Sequence, residues 1–327
     1  MTQFLIKRLL LMLVTIFIIS ILTFIIIQLP PGDILTSKLQ QLQAEGAEAS
    51  LEVIESYRIR YGLDKPMYIQ YFIWIGNFMT GDMGQSFIHN KQVNQLVWDR
   101  IGYTALIAFL SLIFTWVVSV PIGIYSAVKR YTIPDYILTF LGFIGIATPA
   151  FMLALVVMYF AFDKWGISVG GLLSPEMEIA PWGWAKFVDL LKHAWIAIVI
   201  VGVSGTASSI RVLRANLIDE LEKPYVRTAR AKGVSPVKLL IKYPVRIALN
   251  PFLSTVGWTL PFLFSGTVIV SIVLSLPTIG PILFNSLMDQ DMFLAASLLF
   301  ITSSLTVVGT LVSDILLALS DPRIRYE

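Results

Sequence analysis

The chain has 327 residues, of which 56% are hydrophobic and only 14% charged, with a net charge of +3. Soluble domains keep roughly a quarter of their residues charged, so the composition excludes an ordinary water-soluble globule and points to lipid. Cysteine is absent and histidine occurs only at His89 and His193, which excludes a disulfide framework, a thiolate metal site and a histidine-rich one; no metal site is expected.

The first predicted element follows Lys7 and Arg8 as an apolar run from Leu9 to Leu29. A cleavable leader has an apolar core of only about 7–15 residues and a small-residue cleavage site. This run is long enough for a bilayer, which needs about 20 residues, and it ends in Pro30-Pro31-Gly32-Asp33. A retained transmembrane helix is expected.

A long segment, about 30–102, comes next. Glu52 to Tyr61 predicts a surface helix that ends at Gly62, and the aromatic stretch from Tyr68 to Trp74 suits the headgroup boundary. Further apolar stretches run over Thr104–Val128, Tyr136–Phe162, Ala194–Ile210, Phe252–Leu276 and Met292–Leu319. Gly142, Gly145 and Ala147, and the hydroxyl-rich end of the fourth run, suit close helix–helix contact. The expectation is an all-α integral membrane protein of about six transmembrane helices, with a long extracytoplasmic segment after the first span.

With six spans, Lys7 and Arg8, Lys129 and Arg130, the cations from Arg211 to Arg246, and Arg323 and Arg325 all fall on one face. The excess of Lys and Arg assigns that face to the cytoplasm, with both termini inside. Residues 1–102 then hold the first helix and the outer segment, 103–320 the membrane domain, and 321–327 a cytoplasmic tail.

The cytoplasmic loop over 215–250 is built like a helical element. Pro224 suits a first helical turn, Tyr225 to Lys232 follows, Gly233 is placed to end it, and Ser235-Pro236 starts a second helix. Val237, Leu240, Ile241 and Val245 give that helix an apolar stripe, interrupted by Pro244. Two short helices at a sharp break form a rigid knob able to transmit force. An ordinary positive-inside loop with anionic lipid bound fits the same chemistry.

The run Tyr225-Val226-Arg227-Thr228-Ala229-Arg230-Ala231-Lys232-Gly233 resembles the cytoplasmic loop of binding-protein-dependent ABC permeases in its peptide/nickel-permease form. The general pattern of that loop begins Glu-Ala-Ala, and only Ala229 and Gly233 match it; the peptide-permease version is matched closely. Gly62-Leu63-Asp64-Lys65-Pro66, Gly81-Asp82-Met83-Gly84-Gln85-Ser86, Pro121-Ile122-Gly123, Thr148-Pro149-Ala150-Phe151, Arg211-Val212-Leu213-Arg214, Leu276-Pro277-Thr278-Ile279-Gly280 and Asp321-Pro322-Arg323-Ile324-Arg325-Tyr326 are similar to family landmarks in order and spacing.

The resemblance implies a bacterial or archaeal plasma-membrane importer subunit. Residues Tyr225 to Gly233 would dock in an ATPase cleft. The implied partners are a homologous second permease, two ATPase subunits, an extracytoplasmic binding protein and membrane lipid, with no nucleic acid. ATP and Mg would sit on the ATPases, and this chain would hold no cofactor. Peptide permeases often carry an acidic residue and a Trp before the Leu-Pro; Ser271 and Leu276 stand at those places here. Relatives of this architecture also carry oligosaccharides.

No G-x-x-x-x-G-K-[ST] phosphate loop occurs in the sequence, so energy is expected from a partner. A membrane enzyme would need an intramembrane constellation, for which Asp314 is the clearest candidate. An ion-coupled carrier or channel would need mid-membrane charge and interrupted helices; Pro149 and Pro261 interrupt spans, but mid-membrane charge is lacking. Pro149, Pro261 and Ser271 are the candidate pathway or gating residues.

Overall fold

The computed structural model describes residues 2–28, 56, 59, 62, 64–86, 88–166, 170–252 and 268–320. Its helices are α1 (Thr2–Gln28), α2 (Met67–Met79), α3 (Val93–Val128), α4 (Ile133–Ala147), α5 (Ala150–Trp165), α6 (Trp184–Leu221), α7 (Pro224–Ala231), α8 (Pro236–Leu240), α9 (Val268–Val273), α10 (Ile279–Met288) and α11 (Met292–Ser320), with short turns at Pro175–Glu178 and Arg246–Ala248. A small antiparallel hairpin pairs Gln85–Ser86 with Lys91–Gln92 ahead of α3. Among the described residues, α1, α3, α6 and α11 are long and apolar enough to cross a membrane, and the bent pair α4–α5 meets the same measure only when its two halves are taken together. The expected span Phe252–Leu276 lies largely outside the described residues, as does the expected helix Glu52–Tyr61.

Two helices outrun the apolar stretches that foretold them. Helix α3 starts at Val93 instead of Thr104, and α6 runs from Trp184 to Leu221 instead of Ala194 to Ile210. Hydropathy marks the part of a helix suited to lipid, whereas backbone hydrogen bonding continues until a breaker stops it. Residues 215–221 therefore belong to α6, and the turn that follows begins only at Glu222.

The expected single span Tyr136–Phe162 is broken, with its two halves bent by 100°. Proline disfavours a helical conformation in the residue before it. Thr148 accordingly turns extended (φ −86°, ψ 118°), and Pro149 becomes the residue that precedes α5.

Contacts divide the chain into two compact units. The first comprises Met1–Leu5, Ala105–Pro277 and Val308–Glu327, and the second Ile6–Thr104 and Thr278–Val307. In the first unit, α6 is the organising helix. Gly202 lets it approach α3 closely, since a Cβ there would stand 2.5 Å from the Phe114 ring and 3.2 Å from the Ser111 carbonyl oxygen. The Thr115 hydroxyl donates to the Gly202 carbonyl at 3.0 Å, an interhelical bond of the kind that holds membrane bundles together. On the other side, Ala207 meets Gly142 and Gly145 of α4. Asp135 of α4 accepts two bonds from Arg214 of α6, Nε to Oδ1 at 3.1 Å and Nη2 to Oδ2 at 2.8 Å.

In the second unit, Tyr71 and Trp74 of α2 are buried with Phe24 and Phe300, while Tyr68 and Phe72 are exposed. Within this aromatic stretch, the i, i+3 spacing turns Tyr71 and Trp74 onto one inward face and leaves Tyr68 and Phe72 outward. The Ser20 and Tyr71 hydroxyls share a hydrogen bond of 2.8 Å. Val93, Leu96, Val97, Ile279, Leu294 and Leu298 form a second buried cluster.

Candidate functional site

The segment after α6 folds as two short helices around a left-handed residue. Helix α7 starts at Pro224 and its last turn closes at Gly233, whose φ is +77°. The Val234 amide reaches back to the Ala229 carbonyl at 3.3 Å, and the Gly233 amide donates to the Arg230 carbonyl at 3.0 Å. This pair of bonds is a Schellman termination, and the accompanying apolar contact between Val234 and Ala229 is also present. A left-handed residue suits glycine, because a Cβ there crowds its own backbone. Helix α8 then starts at Pro236. At Ile241–Val245 the chain widens into a π-turn containing Pro244 instead of breaking; the wider turn accommodates the missing N–H, so the interruption expected at Pro244 is a local change of pitch.

Spacing sorts the nine residues of the knob into two sets. Val226 and Ala229 face inward, buried with Leu239 and flanked by Tyr225, Val234 and Tyr243. Arg227, Thr228, Arg230, Ala231, Lys232 and Gly233 are exposed. The inward residues anchor the knob, and the outward ones present three cations. The Tyr225 hydroxyl donates to the Glu220 carboxylate in the last turn of α6. Burial first, and then the Glu220 carboxylate, push the Tyr225 phenol above its ordinary range, so it stays protonated and keeps donating. Beside the knob, Arg130 pairs with Glu222 at 3.3 Å. A groove there is lined by Arg130, Glu222, Arg230, Val234, Val237 and Leu240, among others.

The candidate pathway residues separate. Pro149 lines an open cleft at the α4–α5 break together with Thr148, Ser204, Ser208, Arg211 and Val270. Ser271 adjoins Val270 but is buried, and its carbonyl accepts the Leu276 amide at 2.8 Å. Pro261 lies outside the described residues. Asp135, Glu220 and Glu222 were not singled out from sequence, and Arg214 only as part of the Arg211-Val212-Leu213-Arg214 run. For Glu220, a carboxylate five positions before a tyrosine across a helix end was the available signal. For Asp135 it was a lone acid in the first turn of an apolar helix.

A family model described as "Binding-protein-dependent transport system inner membrane component" matches residues 119–326. A second, "Binding-prot-dependent transport system membrane comp, N-term", matches residues 1–108. The chain is 31% identical over 328 residues to the oligopeptide transport system permease protein AppB of Bacillus subtilis (strain 168), covering 100% of each chain. It is also 31% identical over 329 residues to the glutathione transport system permease protein GsiC of Escherichia coli (strain K12), again covering 100% of each. The chain belongs to the binding-protein-dependent transport system inner membrane components, and is a membrane-spanning permease subunit of an ABC importer.

Proposed function

We propose that this subunit forms half of an import pathway for peptides, and that the α7–Gly233–α8 knob is the element a cytoplasmic ATPase grips. Relatives named for oligopeptide and glutathione transport support the peptide class. The observation that carries the gripping role is the coupling of the knob to α6. The Tyr225–Glu220 hydrogen bond ties α7 to the last turn of α6, and the buried Val226, Ala229 and Leu239 lock α7 onto α8. Leu240 at the end of α8 and Val245 just beyond it pack with Leu213 and Leu217 of α6. A push on the exposed Arg227, Arg230 and Lys232 would pass to α6, whose 38 residues reach about 57 Å at 1.5 Å per residue. Ser204, Ser208 and Arg211 ride on that helix at the α4–α5 cleft.

In this reading both termini and the knob are cytoplasmic, and the chain performs no covalent chemistry. The assembly comprises this chain, a homologous permease, two ATPases that hold ATP and Mg, and an extracytoplasmic binding protein. Tethering ATPase closure to α6 gives the bundle its alternation between inward- and outward-open states.

The test is co-purification with the ATPase subunits, comparing wild type with Gly233→Pro and with Arg227→Glu/Arg230→Glu, after membrane insertion of each has been verified. Gly233→Pro is incompatible with φ +77°, and the double substitution reverses two exposed charges without touching the anchor. Retention of the ATPases by wild type and its loss from both variants is the expected result. Equal retention by all three, or none by wild type, overturns the gripping role.

A further inference from the structure

We infer that Arg211, with Ser208 and Ser204 beside it, is a transient station for the free carboxylate end of the cargo in the cleft at the α4–α5 break. This rests on the peptide-import reading above. The three residues are spaced i, i+4, i+7 and so share one face of α6. Thr148 and Pro149 border the cleft from the break, and Val270 borders it from α9. Its volume of about 340 Å³ falls at the lower end of the range of small-ligand sites, roughly 300–1,000 Å³.

Charge gives the cleft its polarity. Arg211 is the one charged side chain among the described residues lining it. One turn further along α6, Arg214 is held by both oxygens of Asp135; no such partner engages Arg211 among the described residues. Ser204 and Ser208 donate to carbonyls of their own helix, at 2.7 Å to Val201 and 2.9 Å to Gly205. Rotation about a single torsion redirects either hydroxyl to a ligand.

Asp135 meets Arg214 while Gly145 meets Val203 and Ala207, so α4 and α6 run antiparallel. Arg211 stands between these two levels, three residues or about 4.5 Å from Arg214 and four residues from Ala207, and its side chain is exposed. A guanidinium facing acyl chains is costly. Elsewhere on α4, Ile137, Phe140, Leu141 and Ile144 are exposed, as a lipid-facing surface requires. The Arg211 face must therefore be covered by the partner permease or by the water of the pathway.

Peptides of varied sequence share only their two charged ends, an ammonium and a carboxylate. A cleft of positive charge selects the carboxylate, which the guanidinium fork matches with two parallel hydrogen bonds. A single cation flanked by hydroxyls keeps the hold reversible, as a pathway requires.

The test uses the reconstituted importer in proteoliposomes, with tetra-alanine and tetra-alanine amide as probes and the binding protein loaded to equal occupancy with each. Wild type is expected to import the carboxylate form at least about tenfold faster, the loss of one charge-assisted contact, and Arg211→Gln to bring the ratio within about twofold. Ser208→Asp, which retains the arginine but places a negative charge one turn away, is expected to erode the same ratio. Equal slowing of both probes by Arg211→Gln, or an unchanged ratio in both variants, overturns the station while leaving peptide import intact. If wild type imports neither probe, the peptide reading itself fails, and the station with it.

Discussion

Two carboxylates are almost wholly withdrawn from water, Asp135 in the first unit at 2% exposure and Asp291 in the second at 1%, and they are satisfied by opposite means. Asp135 faces a full opposite charge, the Arg214 guanidinium, and also accepts the Tyr131 amide at 2.9 Å. Asp291 is met by neutral donors, the Ser86 hydroxyl at 2.5 Å and the Leu294 amide at 3.4 Å in the first turn of α11. A desolvated charge is tolerable only when paired and hydrogen-bonded, and these are two solutions to one problem. The ion pair fixes α4 to α6, the helix that precedes the α7–Gly233–α8 knob. The neutral cap ties the small hairpin to the start of α11, where the helix dipole favours negative charge.

The difference predicts unequal fragility, and the largest effect belongs to the ion pair. Arg214→Gln leaves Asp135 buried without its countercharge, and is expected to cost about 3–5 kcal/mol in chemical denaturation in micelles. Asp135→Leu combined with Arg214→Met removes both charges and should recover most of that loss, since well-packed apolar replacements of buried pairs are often neutral or stabilising. A loss below about 1 kcal/mol for Arg214→Gln would mean that Asp135 is held by the Tyr131 amide and solvent, as an exposed pair would be, and the contrast with Asp291 would vanish.

On the neutral side, Asp291→Ala deletes the acceptor for both Leu294 and Ser86. The expected cost is about 1–3 kcal/mol, combining a lost cap with an orphaned buried hydroxyl. Ser86→Ala in the Asp291→Ala background should add only the loss of the acceptor for the His89 amide at 3.2 Å, about 1 kcal/mol or less, because the Ser86–Asp291 contact is already gone. A large additional loss in the double variant would place Ser86 in some other interaction and dissolve the two-partner description of this cap.

What the sequence made legible follows the range of the interaction. Knob boundaries were readable because Pro224, Gly233 and Ser235-Pro236 act on their own backbone and immediate neighbours. The division of the knob into an anchoring and a presenting face follows from the i, i+3 spacing of Val226 and Ala229, although the docking segment as first read treated all nine residues alike. Pro149 marked where the third span fails; the 100° bend depends on what the second half packs against and is not written locally. The pairs Asp135–Arg214 and Ser86–Asp291 join positions 79 and 205 residues apart, and no local periodicity reports such partners. Arg211 and Arg214 look equivalent in sequence, yet among the described residues only Arg214 meets a carboxylate.

The smallest expected effect is the most discriminating. Asp291→Asn keeps one acceptor oxygen, for the Leu294 amide, and sets an amide NH2 against Ser86, whose hydroxyl oxygen can accept from it; the ionisable group is removed. Burial, opposed by the Ser86 and Leu294 hydrogen bonds, raises the Asp291 carboxyl above the ordinary aspartate range, and His89 and Asp289 act on it in opposite senses. A raised acid binds its proton more tightly in the folded than in the unfolded chain. Between the ordinary and the raised value the folded state therefore holds more protons, and stability falls as pH rises through that window. Below the window both forms of the residue are neutral, and Asp291→Asn should match wild type. Above it the variant should be equal or more stable, by no more than about 1 kcal/mol, with the local pH slope flattened. A wild-type contribution that instead grows with pH and is lost in Asp291→Asn would show that the fold favours the carboxylate over the acid, as an ion pair does, and the two buried aspartates would then be variants of one device.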